Sequence, residues 1–334
     1  MIKCGYKASA EQFSPKELLD FSVLAEQSGF DSVFISDHFQ PWRHTGGHAP
    51  NSLIWLGALG ARTTRVAIGT SVLTPSFRYH PSVVAQAFAT LGAMCPDRVI
   101  LGIGTGESLN EVPATGMPWP EPKERSARLR ESVKLIRQLW AEERVSFRGE
   151  YYRTENATLY DRPKTPPSIY VAGAGPLISK FAGAKADGFI CTSGKAPELY
   201  KDTLLSNVAA GLKTEGRAPG SIDMMIEMKV SFDTDLARAR DDTRYWAALA
   251  LSPEEKMSVE DPREMERLAD SLPVERTMKR WIVSTDPDEH VERIRPYVEM
   301  GFRHLVFHAP GPDQARFLNL YSELVLPRLR SAFG

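Results

Sequence analysis

The chain has 334 residues, with 41 Lys and Arg against 42 Asp and Glu and a net charge of −1. Its 42% hydrophobic, 25% charged and 9% aromatic residues are ordinary for a globular protein. This excludes a disordered chain, a collagen-like fibre and a disulfide scaffold, and the balanced charge predicts no nucleic-acid partner. Cys4, Cys95 and Cys191 are odd in number and lack C-x-x-C spacing, so neither a disulfide framework nor a zinc ribbon is expected. Reduced cysteines fit a cytoplasmic protein. Met1–Tyr6 carries no apolar signal core, and no apolar run approaches the roughly 20 residues of a membrane span, so no membrane partner is expected.

In chain order, a strand is predicted at Ile2–Lys7, then a helix at Ser14–Ser28 that opens with an N-cap Ser and a Pro in the first turn. Strands follow at Ser32–Ile35, Val66–Thr70 and Val99–Gly102. Leu129, Val133, Ile136 and Trp140 share one face of a helix over Arg128–Trp140. Residues 145–160 read as a β-hairpin insertion. Further strands are predicted at Ile169–Ala172, Gly188–Cys191 and Met224–Ser231. The charged stretch 234–279 reads as inserted helices, and Asp286–Met300 as a helix ended by Gly301. Leu305–His308 is the last of eight strands. Strands alternating with helices predict a single-domain (β/α)8 barrel over residues 1–334, with a doubly wound open sheet as its rival.

A barrel carries its chemistry at the C-terminal ends of its strands. Strand two is followed by Ser36-Asp37-His38-Phe39-Gln40-Pro41-Trp42-Arg43-His44. His38 there suits general-base work or a structural hydrogen bond. A metal site built on His38, His44 and His48 is disfavoured, because they lie in a Pro- and Gly-containing loop with no carboxylate at ligand spacing. The hydroxyls of Gly69-Thr70-Ser71-Val72-Leu73-Thr74-Pro75 can meet a polar ring edge or serve the turn. Gly102-Ile103-Gly104-Thr105-Gly106-Glu107 falls one Gly short of a dinucleotide fingerprint, and no helix is expected to open there. Glu107 is a carboxyl group in a tight mouth, a candidate acid. Gly173-Ala174-Gly175-Pro176 offers bare backbone N–H groups at a helix start, an anion site. Thr192-Ser193-Gly194-Lys195 is a similar cluster. Lys256 and Arg280, each taken alone, read as solvated surface charges.

These segments together resemble the luciferase-like family of barrel flavoproteins, in the deazaflavin-using branch that oxidises sugar phosphates. The resemblance runs from Gly5-Tyr6-Lys7 to His308-Ala309-Pro310-Gly311, and Ser36–His44, Gly69–Pro75 and Ile190–Lys195 agree almost letter for letter. It implies coenzyme F420 as cofactor, with a hydride passing from C1 of a hexose 6-phosphate to the deazaflavin C5; the alternative is another luciferase-like F420- or FMN-dependent oxidoreductase acting on a non-phosphorylated substrate. His38 would be the base at O1, Glu107 the proton donor near N1, and Trp42 a neighbour of the reacting centre. The resemblance assigns coenzyme contacts to Asp37, Thr74, Thr105, Gly106, Asn110, Ala174, Gly175, Leu177 and Ile178, and a non-prolyl cis bond to Ser71-Val72. It assigns the sugar phosphate to Thr192, Lys195, Lys256 and Arg280, no metal, and a homodimer. Two departures stand out. Met257-Ser258 follows Lys256 where a His is expected, which implies looser discrimination among hexose 6-phosphates. Ala174 replaces a Gly, harmless if its φ is negative.

Overall fold

The structure is a computed structural model that describes residues 1–256 and 259–334, so the expectation at Met257-Ser258 lies outside the described residues. The described residues form nine parallel strands: β1 (Lys3–Ala8), β2 (Ser32–Ile35), β3 (Ala67–Thr70), β4 (Val99–Ile103), β5 (Ser168–Ala172), β6 (Gly188–Thr192), β7 (Asp223–Phe232), β8 (Ile282–Ser284) and β9 (His304–His308). Strands β1 to β7 pair in sequence order, β7 pairs with β9, and β9 returns to β1, which closes an eight-stranded barrel. Closure removes the open-sheet rival and leaves the barrel no free edge.

The structure corrects the strand count. β8 pairs with Val230–Phe232, where the long β7 overhangs the barrel rim. Three residues are too few for a periodic signal.

Side chains on alternate positions point into the barrel. Phe34, Ile100, Tyr170, Ile190, Met225 and Val306, from six strands, pack together there as a separate apolar plug. A larger core lies between the barrel and the surrounding helices. Below the plug, His304 bridges Ser32 Oγ at 2.7 Å and Asp223 Oδ2 at 3.3 Å, and the Tyr170 hydroxyl donates to Asp223 at 2.7 Å. The closed lower end leaves the C-terminal end of the barrel as the mouth.

The first helix runs over Pro15–Gln27, with Ser14 and Glu17 forming a capping box. The helix Pro287–Glu299 starts at the N-cap Asp286 and stops before Gly301 at φ +100°. The inserted stretch contains Leu236–Asp241, Asp242–Ala250, Pro253–Lys256, Pro262–Asp270 and Val274–Met278, all helical. The expected hairpin is reduced to isolated bridges, Val145 with Ala157 and Arg148 with Arg153. Its turn is held instead by the Glu131 carboxylate, which accepts from the backbone N–H groups of Glu150, Tyr151 and Tyr152 at 2.6–2.9 Å.

Candidate active site

A cavity of about 350 Å³ opens at the barrel mouth. It is lined by residues from the ends of β2 to β7, among them Asp37, His38, Ser71, Val72, Thr74, Thr105, Gly106, Glu107, Asn110, Ala174, Thr192 and Lys195. All of these stand at or just after the end of a strand, where the barrel reading of the sequence places the chemistry.

At one wall, His38 Nε2 lies 3.2 Å from Glu11 Oε1, and the Ser36 hydroxyl donates to the other Glu11 oxygen at 2.9 Å. Burial would raise the Glu11 carboxyl, but His38, Lys7 and the hydrogen bonds outweigh it and hold the group below the ordinary carboxylate range. The Glu11 carboxylate fixes the orientation of the His38 ring. Among the described residues the other ring nitrogen, the buried Nδ1, has no partner, nor has the buried Trp42 Nε1. The two rings lie 6.4 Å apart. Asp37 lines the cavity, while its carboxylate accepts from Ser52 Oγ at 2.6 Å and Arg78 at 2.7 Å. Asn110 Oδ1 accepts from the backbone N–H groups of Phe39 and Gln40, which pins this loop.

The ends of β3 and β4 adjoin this wall, where the Asp37 N–H donates to the Val72 carbonyl at 3.3 Å. The Ser71-Val72 peptide is cis, as expected. A Cβ on Gly104 would stand 2.9 Å from Val72 Cγ2. Gly106 has φ +85°, and a Cβ there would press on Thr74 and Trp119 at 3.1 Å. Here the structure corrects a second expectation: a helix, Ser108–Thr115, does open directly after this turn, with Glu107 at its N-cap. Its internal Pro113 and closing Gly116 hide it from periodicity. The Glu107 carboxylate makes no capping bond and is exposed at the rim. The helix Pro176–Lys185 starts at Gly175, also without a side-chain cap, so its first N–H groups can meet an anion. Ala174 is not among the residues with positive φ, so its replacement of Gly carries no strain. Leu177 is largely exposed and Ile178 buried in this helix; neither lines the cavity.

Lys256 and Arg280 are corrected from surface charges to half-buried groups. Lys256 Nζ sits 4.4 Å over the Trp42 ring. Arg280 Nη1 donates to the Gly194 carbonyl at 2.6 Å, and its buried Nε has no partner among the described residues. Gly194 permits this approach, having φ +75° and room for no Cβ, which would stand 2.6 Å from the Arg280 carbonyl. Burial pushes Lys256 down, Glu107 draws it back up, and repulsion from Arg280, Lys195 and Lys229 pushes it down again, to about 8. These cations stand close enough to repel one another, a repulsion that a bound polyanion would relieve.

Sequence reasoning missed the groups inside the strands. Lys7 donates to the Ser71 carbonyl and lies 3.3 Å from Glu227 Oε2. Lys229 donates to Glu227 Oε1 at 2.8 Å. All three are buried. Glu111, held by Arg78 beneath Asp37, was missed as well; burial raises its carboxyl against the pull of Arg78.

The family profile described as luciferase-like monooxygenase matches residues 2–304. An F420-dependent glucose-6-phosphate dehydrogenase of Nakamurella multipartita is 66% identical, covering 100% of this chain and 98% of the relative. One of the same description from Beutenbergia cavernae is 64% identical, covering 99% and 98%. Among solved structures, an F420-dependent secondary alcohol dehydrogenase in complex with an F420–acetone adduct superimposes with a TM-score of 0.93 at 33% identity, covering 98% of this chain and 99% of that one.

Proposed function

The chain belongs to the luciferase-like monooxygenase family, and from that premise we propose that it oxidises glucose 6-phosphate, or related hexose 6-phosphates, at C1 with coenzyme F420. The product is 6-phosphogluconolactone. The observation that carries this reading is the pairing of a base with a group of cations: His38, backed by Glu11, and Lys195 line one cavity, and Lys256 and Arg280 lie close enough to Lys195 for their charges to interact. The full-length likeness to glucose-6-phosphate dehydrogenases supports it. An enzyme of simple alcohols has no use for three convergent cations.

The glycine turn at Gly104–Gly106 and the uncapped helix start at Gly175 suit a planar ring with a phosphate-bearing tail. We assign coenzyme contacts to Asp37, Ser71, Val72, Thr74, Thr105, Gly106, Asn110, Ala174, Gly175, Leu177 and Ile178. When bound, coenzyme F420 supplies the hydride acceptor at C5. His38 takes the proton from O1 as the C1–H bond breaks, and Glu11 stabilises the imidazolium. We assign to Glu107 the passing of a proton to the pyrimidine edge near N1. Trp42 shields the reacting carbon from water and carries Lys256 on its face. Thr192, Lys195, Lys256 and Arg280 hold the sugar phosphate, the cations by charge-assisted hydrogen bonds.

We read residues 1–334 as one barrel domain. Its three cysteines are buried and free, which supports the reducing cytoplasm. Among the described residues no helix is long and apolar enough to cross a membrane. We also propose a homodimer, on the family resemblance.

The test follows loss of the oxidised coenzyme's visible absorption with glucose 6-phosphate, glucose and 2-propanol. Turnover with the sugar phosphate alone is expected. Comparable turnover of 2-propanol or free glucose would overturn the assignment.

A further inference from the structure

Between the base at one wall and the cations at the rim, a hexose presents a row of hydroxyl groups. Glu227, on β7, lines this cavity. Its position follows from strand phase. Met225 belongs to the apolar plug inside the barrel, and side chains two and four residues on share its face, so Glu227 and Lys229 rise above it in the lumen. On the adjacent strand, Ile190 of the plug is followed in phase by Thr192, the register partner of Glu227. Thr192 and Glu227 therefore stand side by side, and both line the cavity.

The surroundings of Glu227 fix its charge and its aim. Lys229 Nζ stands at 2.8 Å from one oxygen and Lys7 Nζ at 3.3 Å from the other, with His308 Nδ1 at 3.5 Å. Burial pushes His308 down to about 4, so its ring is neutral and the cationic partners are the two lysines. Despite its burial, Glu227 is held well below the usual carboxylate range by Lys229, Lys7 and His308. The end of β6 is locked to it from behind. Ser193 N–H donates to the Glu227 carbonyl and Lys229 N–H donates to Ser193 Oγ, each at 2.9 Å.

An ionised carboxylate accepts about four hydrogen bonds, and the lysines take two. A buried Lys–Glu–Lys set also costs stability relative to an apolar plug of the same size, and its place beside a cavity marks a functional group. We propose that Glu227 is a specificity-determining residue that accepts a hydrogen bond from a ring hydroxyl of the hexose, beside Thr192. This rests on the sugar-phosphate reading above and deepens it. A site built around a buried acceptor rejects a substrate that lacks the matching donor, because the acceptor is then left dry and unpaired. Lys7 and Lys229 act as positioning residues: they keep the carboxylate ionised and upright.

The experiment measures kcat/KM for glucose 6-phosphate and for its 2-, 3- and 4-deoxy analogues in the native enzyme and in Glu227→Asp, with coenzyme affinity titrated separately by fluorescence. Asp keeps the charge between the lysines and withdraws the carboxylate by one methylene. One analogue is expected to lose about 10- to 150-fold against the parent sugar in the native enzyme. In Glu227→Asp that penalty shrinks to a few-fold, KM for glucose 6-phosphate rises, and coenzyme affinity is unchanged. Native ratios near one for all three analogues overturn the proposal without any variant. So does a penalty that persists in Glu227→Asp but vanishes in Thr192→Val, or a loss of coenzyme affinity with deoxy ratios unchanged. Absence of turnover of glucose 6-phosphate by the native enzyme is a different outcome and removes the sugar-phosphate reading itself.

Discussion

Lys256 offers the sharpest test of the polyanion site, because its charge is set to fail within an accessible pH range. Its neighbours leave it at about 8 in the free protein: burial and the cations Arg280, Lys195 and Lys229 push down, and Glu107 pulls up. The ammonium is therefore present below pH 8 and is lost as the pH rises through it, while the phosphate, with a second pKa of about 6, stays dianionic throughout. If only the protonated enzyme binds well, KM for glucose 6-phosphate scales as one plus the ratio of neutral to charged Lys256. That factor is about 2 at pH 8 and about 11 at pH 9. The rise levels off once the contribution of one charge-assisted hydrogen bond, about 10- to 150-fold, is used up. Lys256→Arg keeps a cation at every pH in the range, so its profile should be flat. Initial rates across sugar-phosphate concentrations, from pH 7 to 9.5, give the comparison. A native KM independent of pH refutes the argument. An inflection surviving in Lys256→Arg assigns the titration to Lys195 instead, whose own value is also lowered by burial and by the same neighbours.

Three further outcomes are expected. His38→Ala should lower kcat by roughly 10²- to 10⁴-fold with coenzyme affinity near normal, and a variant keeping most of its kcat would remove His38 as the base. Arg280→Ala should raise KM for the sugar phosphate by about 10- to 150-fold and spare coenzyme binding; the reverse pattern would move Arg280 to the coenzyme's own phosphate. Gly106→Ala forces a left-handed backbone on a residue with a Cβ, costing about 1–2 kcal/mol, and crowds Thr74 and Trp119, so both Tm and coenzyme affinity should fall.

The parts of this protein legible in its sequence are those that punctuate strands. A short β-branched run followed by Ser36-Asp37-His38, Gly104-Thr105-Gly106-Glu107 or Thr192-Ser193-Gly194-Lys195 announces both an element and what it delivers to the barrel mouth. The helix behind Glu107 stayed hidden because Pro113 interrupts it, and β8 because its pairing comes from the overhang of β7. Lys256 and Arg280 read as surface charges because their mutual proximity is created by the insertion folding over Trp42 and by Arg280 reaching Gly194, contacts between segments far apart in the chain.

Lys7, Glu227 and Lys229 were missed for a different reason. Met-Ile-Glu-Met-Lys-Val has the alternation of a strand with one wet face. In an open sheet that face meets solvent, and its charges carry no message. Closure of the barrel turns the same face inward, and the rule then inverts: a charge in phase with a plug residue and nearer the C-terminal end must lie in the lumen. Phase is countable without a structure once closure is assumed. Met225, Glu227 and Lys229 on β7, Ile190 and Thr192 on β6, and Val306 and His308 on β9 obey one count: apolar at the plug, polar above it. Applied to any chain read as a barrel, that count selects the buried charges of the lumen before the loops are considered. Here it selects Glu227, the carboxylate among them that lines the cavity.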